Sequence, residues 1–236
     1  MSAGAIIVAA GRGERLGLGL PKGLIEINGV PLLMFSTLAF ESSPSINSIV
    51  LVVPSGFEEI VLELSKKFEF GKVVAAVAGG VERQDSVVRG LEALPAEDDC
   101  AIIHDGARPF VSSQLIEAVT ASLRTHKAAF AALPVSDTLH QNKGGIALEG
   151  PDRSVLAAAQ TPQGFHRQIL TEAMQLGSKR NEKYTDEVSL LRKTLHINAA
   201  IVPGDSGNIK ITRSQDIDFY CCQLQQAAIS LMRRSA

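Results

Sequence analysis

Five cations in this chain fall where loops are expected: Arg15, Lys22, Arg108, Arg153 and Lys210. Arg15 and Lys22 share one N-terminal stretch, Ala5 to Gly23. There an apolar run turns at Gly11 and Gly13, crosses a glycine- and leucine-rich segment, and reaches Pro21–Lys22. Proline fixes the backbone ahead of Lys22 and so aims its ammonium. A glycine-rich loop at the carboxyl end of a strand exposes backbone N–H groups and lets a ligand approach the main chain, which suits phosphates. Cations held in place on loops stabilise charge developing at phosphorus by position and electrostatics.

Other residues supply contacts of different kinds. Gly79–Gly80–Val81–Glu82–Arg83–Gln84–Asp85–Ser86 follows a predicted strand and precedes a helix. Its glycines allow backbone to press on a flat ligand, and Ser86 can donate or accept, although a helix cap at Asp85 or Ser86 explains the same residues. Asp105–Gly106–Ala107–Arg108 ends another strand. Asp105 can bind a ribose hydroxyl and Arg108 can fork a phosphate, or the two form a local ion pair. His104 reads as a hydrogen-bonded structural residue. Thr161 and Thr185 place hydroxyls at expected turns, Thr185 at a helix start, and Lys210 lies in an extended segment before the last helix. The spacing excludes familiar alternatives. Gly11–x–Gly13 has Leu16 where a dinucleotide fingerprint needs its third glycine, and no Gly–Lys–Ser/Thr closes a Walker A loop. No metal-ligand cluster, Ser–His–Asp triad or Cys–His pair has a defensible spacing.

The elements that must position these residues alternate. Apolar runs at Ala5–Ala10, Ile49–Val53, Val73–Ala78, Ala101–His104 and Ala128–Leu133 read as strands. Between them lie amphipathic stretches at Pro31–Phe40, Phe57–Phe68, Ser86–Leu94 and about Ser112–His126. This order predicts an α/β fold with a mostly parallel sheet and right-handed crossovers, whose ligands sit beyond the strands' carboxyl ends. The rhythm breaks at Asp137–Arg153, where short runs around Asn142–Lys143–Gly144–Gly145 predict a β-hairpin arm. A strand at Val155–Gln160, helices at about His166–Leu176 and Asp186–Arg192, a strand at Ile197–Val202 and a helix at Ser214–Met232 complete the reading. The arm, at about 137–158, is an insertion in one domain spanning 1–236. Two exposed strands alone are marginal, so a second copy of the chain is the expected cover.

The balance of charge and cysteines limits the setting. The 236 residues carry a formal net charge of −2, which gives no broad basic footprint for nucleic acid. Three cysteines without CxxC spacing fit a reducing, cytoplasmic environment. No run approaches the roughly 20 apolar residues of a membrane span.

Taken together, AAGRGERLGLGLPK, GGVERQDSV, HDGARPFV, PVSDT, TPQGF, YTDE and NIKIT resemble, in order and approximate spacing, the motifs of the 2-C-methyl-D-erythritol 4-phosphate cytidylyltransferase family. The resemblance runs from Ala9 to Thr212. It implies a doubly wound nucleotidyltransferase fold, a homodimer joined through the arm, CTP and a polyol phosphate as substrates, and Mg²⁺ held mainly by the CTP phosphates, with no protein metal ligand named. By the same resemblance, Ala9, Ala10, Gly80, Val81 and Ser86 line a cytosine pocket, and Gly11, Asp105 and Gly106 lie near the ribose. Arg15 and Lys22 hold the triphosphate, and Lys22 and Lys210 flank the reacting phosphate. Asp105, Arg108, Thr161, Thr185 and Lys210 contact the polyol phosphate, with Thr138 and Arg153 reaching in from the second copy. Ribitol-5-phosphate cytidylyltransferases carry similar motifs, and a non-catalytic nucleotide-binding protein on this fold is a further reading. The chain departs from the family where Gly23 and Leu24 follow Lys22, in the apolar Gly17–Leu20 segment, and at His140, where a lysine is common.

Overall fold

The computed structural model describes residues 1–11, 21–180 and 183–233. Expectations at Arg15 and Gly17–Leu20 lie outside those residues. The chain begins with β1 (Ala3–Val8), a small antiparallel pair β2 (Glu26–Ile27) and β3 (Val30–Pro31), and α1 (Leu32–Ser42). It continues through β4 (Ser48–Val53), α2 (Glu58–Lys67), β5 (Val73–Ala78), α3 (Arg83–Ala93), β6 (Cys100–Asp105), α4 (Ser113–Ser122) and β7 (Ala128–Pro134). The hairpin β8 (Gln141–Lys143) and β9 (Ile146–Leu148) follows, then β10 (Ala157–His166), α5 (Arg167–Lys179), α6 (Glu187–Leu195), β11 (Ala200–Pro203), α7 (Ser214–Phe219) and α8 (Cys221–Met232).

Among the described residues, seven strands form one sheet in the order β11-β7-β10-β6-β1-β4-β5, and β10 alone runs antiparallel to its neighbours. The α/β, mostly parallel, doubly wound expectation is borne out. The central strands are buried on both faces, so they read as unbroken apolar runs. Ala5 and Ile7 of β1, with Ile49, Leu51 and Val53 of β4, join a core beneath α1, α4 and α8. Ile6, Val50 and Val52 join the opposite core beneath α3, α5 and α6. From β1 the chain crosses to β4 and β5 on one side, then returns to β6 on the other. That reversal is a topological switch point, and it opens a crevice at the strands' carboxyl ends.

Several boundaries differ from the sequence expectations, each for a physical reason. The first strand ends at Val8, so Ala9 and Ala10 belong to the loop beyond the sheet. The third large helix starts at Arg83, three residues early, because Glu82 and Asp85 form a reciprocal capping box. Thr161–Pro162–Gln163 lies inside β10 rather than at a turn. The register with β7 shifts between Ala159 and Gln163, around a proline that has no ladder N–H to give. The final helix is two helices meeting at Tyr220, whose backbone leaves helical geometry (φ −101°, ψ 15°) while its ring packs on Phe110 at 5.8 Å. The β2–β3 turn was not foreseen, although Asn28–Gly29 carries the signal: φ is positive at both residues, 50° and 76°.

One close contact sets how α3 lies on the sheet. A Cβ on Gly90 would stand 2.4 Å from Ile6 Cγ2 and 2.9 Å from Val52 Cγ2. Gly90→Ala gains about 1 kcal/mol of helix propensity but overpacks a filled core at a cost of about 1–3 kcal/mol. Net destabilisation is expected, read as a lower urea midpoint than the parent protein, with Gly90→Leu lower still.

Candidate active site

Three strand ends converge on one cleft. Ala9 N–H continues the β1 ladder to Val52 O at 2.7 Å, Gly79 N–H bonds Val53 O at 2.7 Å, and Gly106 N–H bonds Val8 O at 2.9 Å. The loops after β1, β5 and β6 therefore leave the sheet side by side. The cleft they enclose, of about 700 Å³, is lined by Ala9, Ala10, Gly11, Lys22, Gly80, Val81, Ser86, Asp105, Gly106 and Lys210 among the residues expected from sequence. Val8, Gly23, Glu82, Arg83, Ala107 and Thr212 line it as well.

The glycines after β5 have a steric role. A Cβ on Gly79 would lie 2.1 Å from Ala10 Cβ, and one on Gly80 would lie 2.1 Å from Asp85 Cβ. Any larger residue would push the β1 loop and the α3 N-terminus apart. Ser86 Oγ accepts from Gly80 N–H at 3.1 Å and donates to Glu82 O at 3.2 Å, which fixes this loop to the first turn of α3. Both readings of the segment hold together: Asp85 completes the cap, and Gly80, Val81 and Ser86 line the cleft. Val81 is 94% exposed, so its side chain covers nothing in the protein itself.

Asp105 is the electrostatic centre. Its Oδ2 lies 2.7 Å from Lys210 Nζ and 3.9 Å from Arg108 Nε, and its Oδ1 lies 3.6 Å from Arg83 Nε. Burial alone would raise this carboxyl, but Lys210 and then Arg83 outweigh it and pull its pKa down to about 2. The segment carrying Lys210 is held from below. Buried Asn208 donates from Nδ2 to Thr161 O at 2.7 Å, and Ile211 N–H bonds Ala107 O at 2.9 Å. Arg108 directs Nη1 to Asn208 O at 2.7 Å, so it braces the Lys210 segment from behind Asp105 and does not line the cleft.

His104 and Thr161 form a buried chain under Asp105. A carbonyl can only accept, so His104 Nε2 carries the hydrogen given to Arg108 O at 3.2 Å. Nδ1 therefore accepts from the Thr161 hydroxyl at 3.0 Å, and that hydroxyl oxygen accepts from Asp105 N–H at 3.1 Å. The structural reading of His104 is supported, and Thr161 has its only hydroxyl hydrogen engaged. The remaining expected residues lie elsewhere. Thr185 is exposed, 3.3 Å from Ser189 Oγ, while the α6 cap is its neighbour Asp186. Thr138 and Arg153 are exposed at the arm, where Arg153 Nη1 reaches Ser136 O at 2.5 Å.

Sequence reasoning missed Arg83 and Glu187. Arg83 Nη1 donates to both Glu187 oxygens, at 2.7 and 2.9 Å. Burial disfavours the guanidinium's charge, but Glu187 and Asp105 more than offset that and raise its pKa. Both residues stand within quoted motifs, GGVERQDSV and YTDE, yet nothing in the spacing shows that 104 residues apart they touch.

Burial pulls the pKa of His104 down to about 4. An unfolded histidine takes up its proton near the ordinary value of about 6.5. Between these values the unfolded state binds a proton that the folded state does not. Stability therefore falls as pH drops through this window, by up to about 3 kcal/mol from this group. Asp105, depressed to about 2, contributes stability that is fully present above the ordinary aspartate range and is lost only as pH falls toward 2. The two windows are separable. Urea unfolding at pH 7 and pH 5 should show the loss, and His104→Gln should abolish that slope whatever its effect at pH 7.

Comparison with known proteins agrees with this geometry. The family model described as 2-C-methyl-D-erythritol 4-phosphate cytidylyltransferase matches residues 3–225. A protein of that name from Syntrophus aciditrophicus is 38% identical over 216 residues, covering 90% of this chain and 92% of the relative. A bifunctional enzyme IspD/IspF from Desulfotalea psychrophila is 39% identical over 218 residues; the match covers 92% of this chain but 55% of that longer protein. Among solved structures, 4-diphosphocytidyl-2C-methyl-D-erythritol synthase from Anaerococcus prevotii superposes with a TM-score of 0.83 at 30% identity, covering 95% of this chain and 96% of that one. The 2-C-methyl-D-erythritol 4-phosphate cytidylyltransferase from Thermus thermophilus gives 0.75 at 30% identity, covering 95% and 100%. On a family match along nearly its whole length, and on relatives that it covers almost end to end, the chain belongs to the 2-C-methyl-D-erythritol 4-phosphate cytidylyltransferase family.

Proposed function

We propose that this chain joins CTP to 2-C-methyl-D-erythritol 4-phosphate, giving the cytidine diphosphate alcohol and pyrophosphate, in isoprenoid biosynthesis. The observation that carries this reading, beside family membership, is the placing of Lys22 and Lys210 on one cleft with the Gly80–Ser86 loop and Asp105. Cytosine fits against Ala9, Ala10, Gly80 and Val81, within reach of Ser86. The ribose lies by Gly11, Asp105 and Gly106. Lys22, with Arg15 from the same N-terminal stretch, holds the triphosphate, and Lys210 meets the α-phosphate.

The chemistry needs little from the protein except charge. A phosphate monoester oxygen, already anionic near neutral pH, attacks the α-phosphorus in line, and the bond to pyrophosphate breaks. No proton has to be removed. The cleft is consistent with that: Asp105 is too acidic to act as a base, and both His104 nitrogens are engaged below it. The obstacle is repulsion between two anions, which ammonium groups aimed at the five-coordinate phosphorus offset.

Magnesium is the proposed cofactor. Among the described residues no three His, Cys, Asp or Glu side chains converge as ligands, and both Asp105 oxygens face cations. That donor set suits a metal carried by triphosphate oxygens and water rather than a site built by protein. When bound, magnesium supplies further neutralisation of phosphate charge.

We also propose a homodimer through the arm and a cytoplasmic location. The β8–β9 hairpin is paired as expected, with Gly144 and Gly145 at positive φ. Its side chains stay open: Ile146 is 67% exposed and Val155 at its base 79%. Burial against a second copy would cover them and bring Thr138 and Arg153 to that copy's polyol phosphate. No described helix is long and apolar enough to cross a membrane, and Cys100, Cys221 and Cys222 are free thiols.

Pyrophosphate release with CTP plus either polyol phosphate tests the activity. No turnover with either removes the reading, and faster turnover with ribitol 5-phosphate moves it to that enzyme. Lys210→Ala should lower kcat by about 10²-fold or more while the Kd for CTP, measured by calorimetry, changes far less; equal losses would make Lys210 a ground-state contact. Ile146→Asp should shift the sedimentation coefficient from dimer toward monomer and raise the KM for the polyol phosphate. A monomeric parent protein with full activity would overturn the arm's role.

A further inference from the structure

Four charges run in a row across the cleft wall. Glu187 opens α6, is fully buried, and gives both carboxylate oxygens to Arg83 Nη1. Arg83 opens α3, lines the cleft, and turns its Nε toward Asp105 Oδ1 at 3.6 Å. Asp105 Oδ2 meets Lys210 Nζ at 2.7 Å. The row therefore links α6, α3, the end of β6 and the last loop. A buried carboxylate without a partner is strongly unfavourable, so Glu187 dictates where the Arg83 guanidinium sits. That position is against the Asp105 oxygen that Lys210 does not use.

We propose that Arg83, fixed by Glu187, is a positioning residue for the reaction. It engages one oxygen of Asp105 and draws on part of that carboxylate's charge, so that Lys210 is oriented by Asp105 without being fully neutralised by it. Remove Arg83, and Asp105 turns both oxygens and its whole charge toward Lys210, with Arg108 at 3.9 Å as its only other cation among the described ion pairs. Lys210, whose side chain is 42% exposed, then presents less positive charge to an incoming phosphate. The consequence for catalysis rests on the cytidylyltransferase reading; the division of charge does not.

The test separates those two layers. Arg83→Met alone would strand a buried Glu187, so every variant is built on Glu187→Gln, with that single variant as reference. The first readout needs no substrate: the rate at which an N-hydroxysuccinimide ester acylates Lys210, followed by peptide mass spectrometry. Adding Arg83→Met should slow acylation at least about threefold, and the slowing should vanish when Asp105→Asn is also present, as expected for groups coupled through one partner. An unchanged rate, or the same slowing with Asp105→Asn, overturns the proposal. The second readout is turnover with CTP. Arg83→Met should lower kcat on the order of tenfold with little change in KM for CTP, and by less than about twofold in the Asp105→Asn background. Equal losses in both backgrounds would mean that Arg83 touches the substrate directly and would also overturn it. A parent protein with no turnover at all would remove the functional reading, leaving the acylation cycle to decide the charge division by itself.

Discussion

The Asp105 carboxylate is the joint on which the cleft depends. Lys210, Arg83 and Arg108 come from three separate parts of the chain, and three cations gathered without an anion would repel one another. Asp105 holds them together while no substrate is present. Its acidity, about 2, is the measure of that arrangement: burial works against the charge, and the surrounding cations prevail. The cluster thus sets two buried, fixed carboxylates, Asp105 and Glu187, against three cations. An incoming triphosphate finds excess positive charge already oriented, which is where preorganised electrostatics contribute most.

Holding Asp105 in place requires a second, uncharged network. His104 receives the Thr161 hydroxyl hydrogen and donates to Arg108 O, and Thr161 accepts from the backbone N–H of Asp105. This works only with neutral imidazole, which full burial secures. Asn208 extends the network from Thr161 to the Lys210 segment. The antiparallel strand β10 is what makes it possible. Inserted between β6 and β7, it brings Thr161 beside Asp105 although 56 residues separate them. The one strand that departs from the parallel pattern supplies the floor of the site.

Much of the cleft was legible in the chain. Apolar runs located the strands, and the rule that ligands sit beyond parallel strand ends pointed to Gly11, Gly79–Gly80, Asp105 and Asp137; Gly11, Gly80 and Asp105 do converge, whereas Asp137 is exposed at the start of the arm and does not line the cleft. The Asn142–Gly145 stretch marked the arm for a local reason, since the turn at Gly144 and Gly145 needs a left-handed backbone. Thr161 was harder to place: a proline and a glycine nearby read as a turn, whereas burial between two strands makes the segment extended. The apparently continuous last helix divides at Tyr220, where the backbone leaves helical geometry although the apolar spacing carries on through it.

By itself, the sequence determined the α/β alternation, the glycine-rich turns and the identity of most residues at the cleft, because these depend on periodicity, backbone freedom and ordered motifs read within short windows. Only the tertiary structure decided which charges oppose which. Arg83 and Glu187 are 104 positions apart, and Asp105 and Lys210 are 105 apart. Each was visible as a residue type, but partnership is a matter of distance and burial. Those quantities exist only once β6, α3, α6 and the last loop have been packed against one sheet, where a buried carboxylate must find its cation.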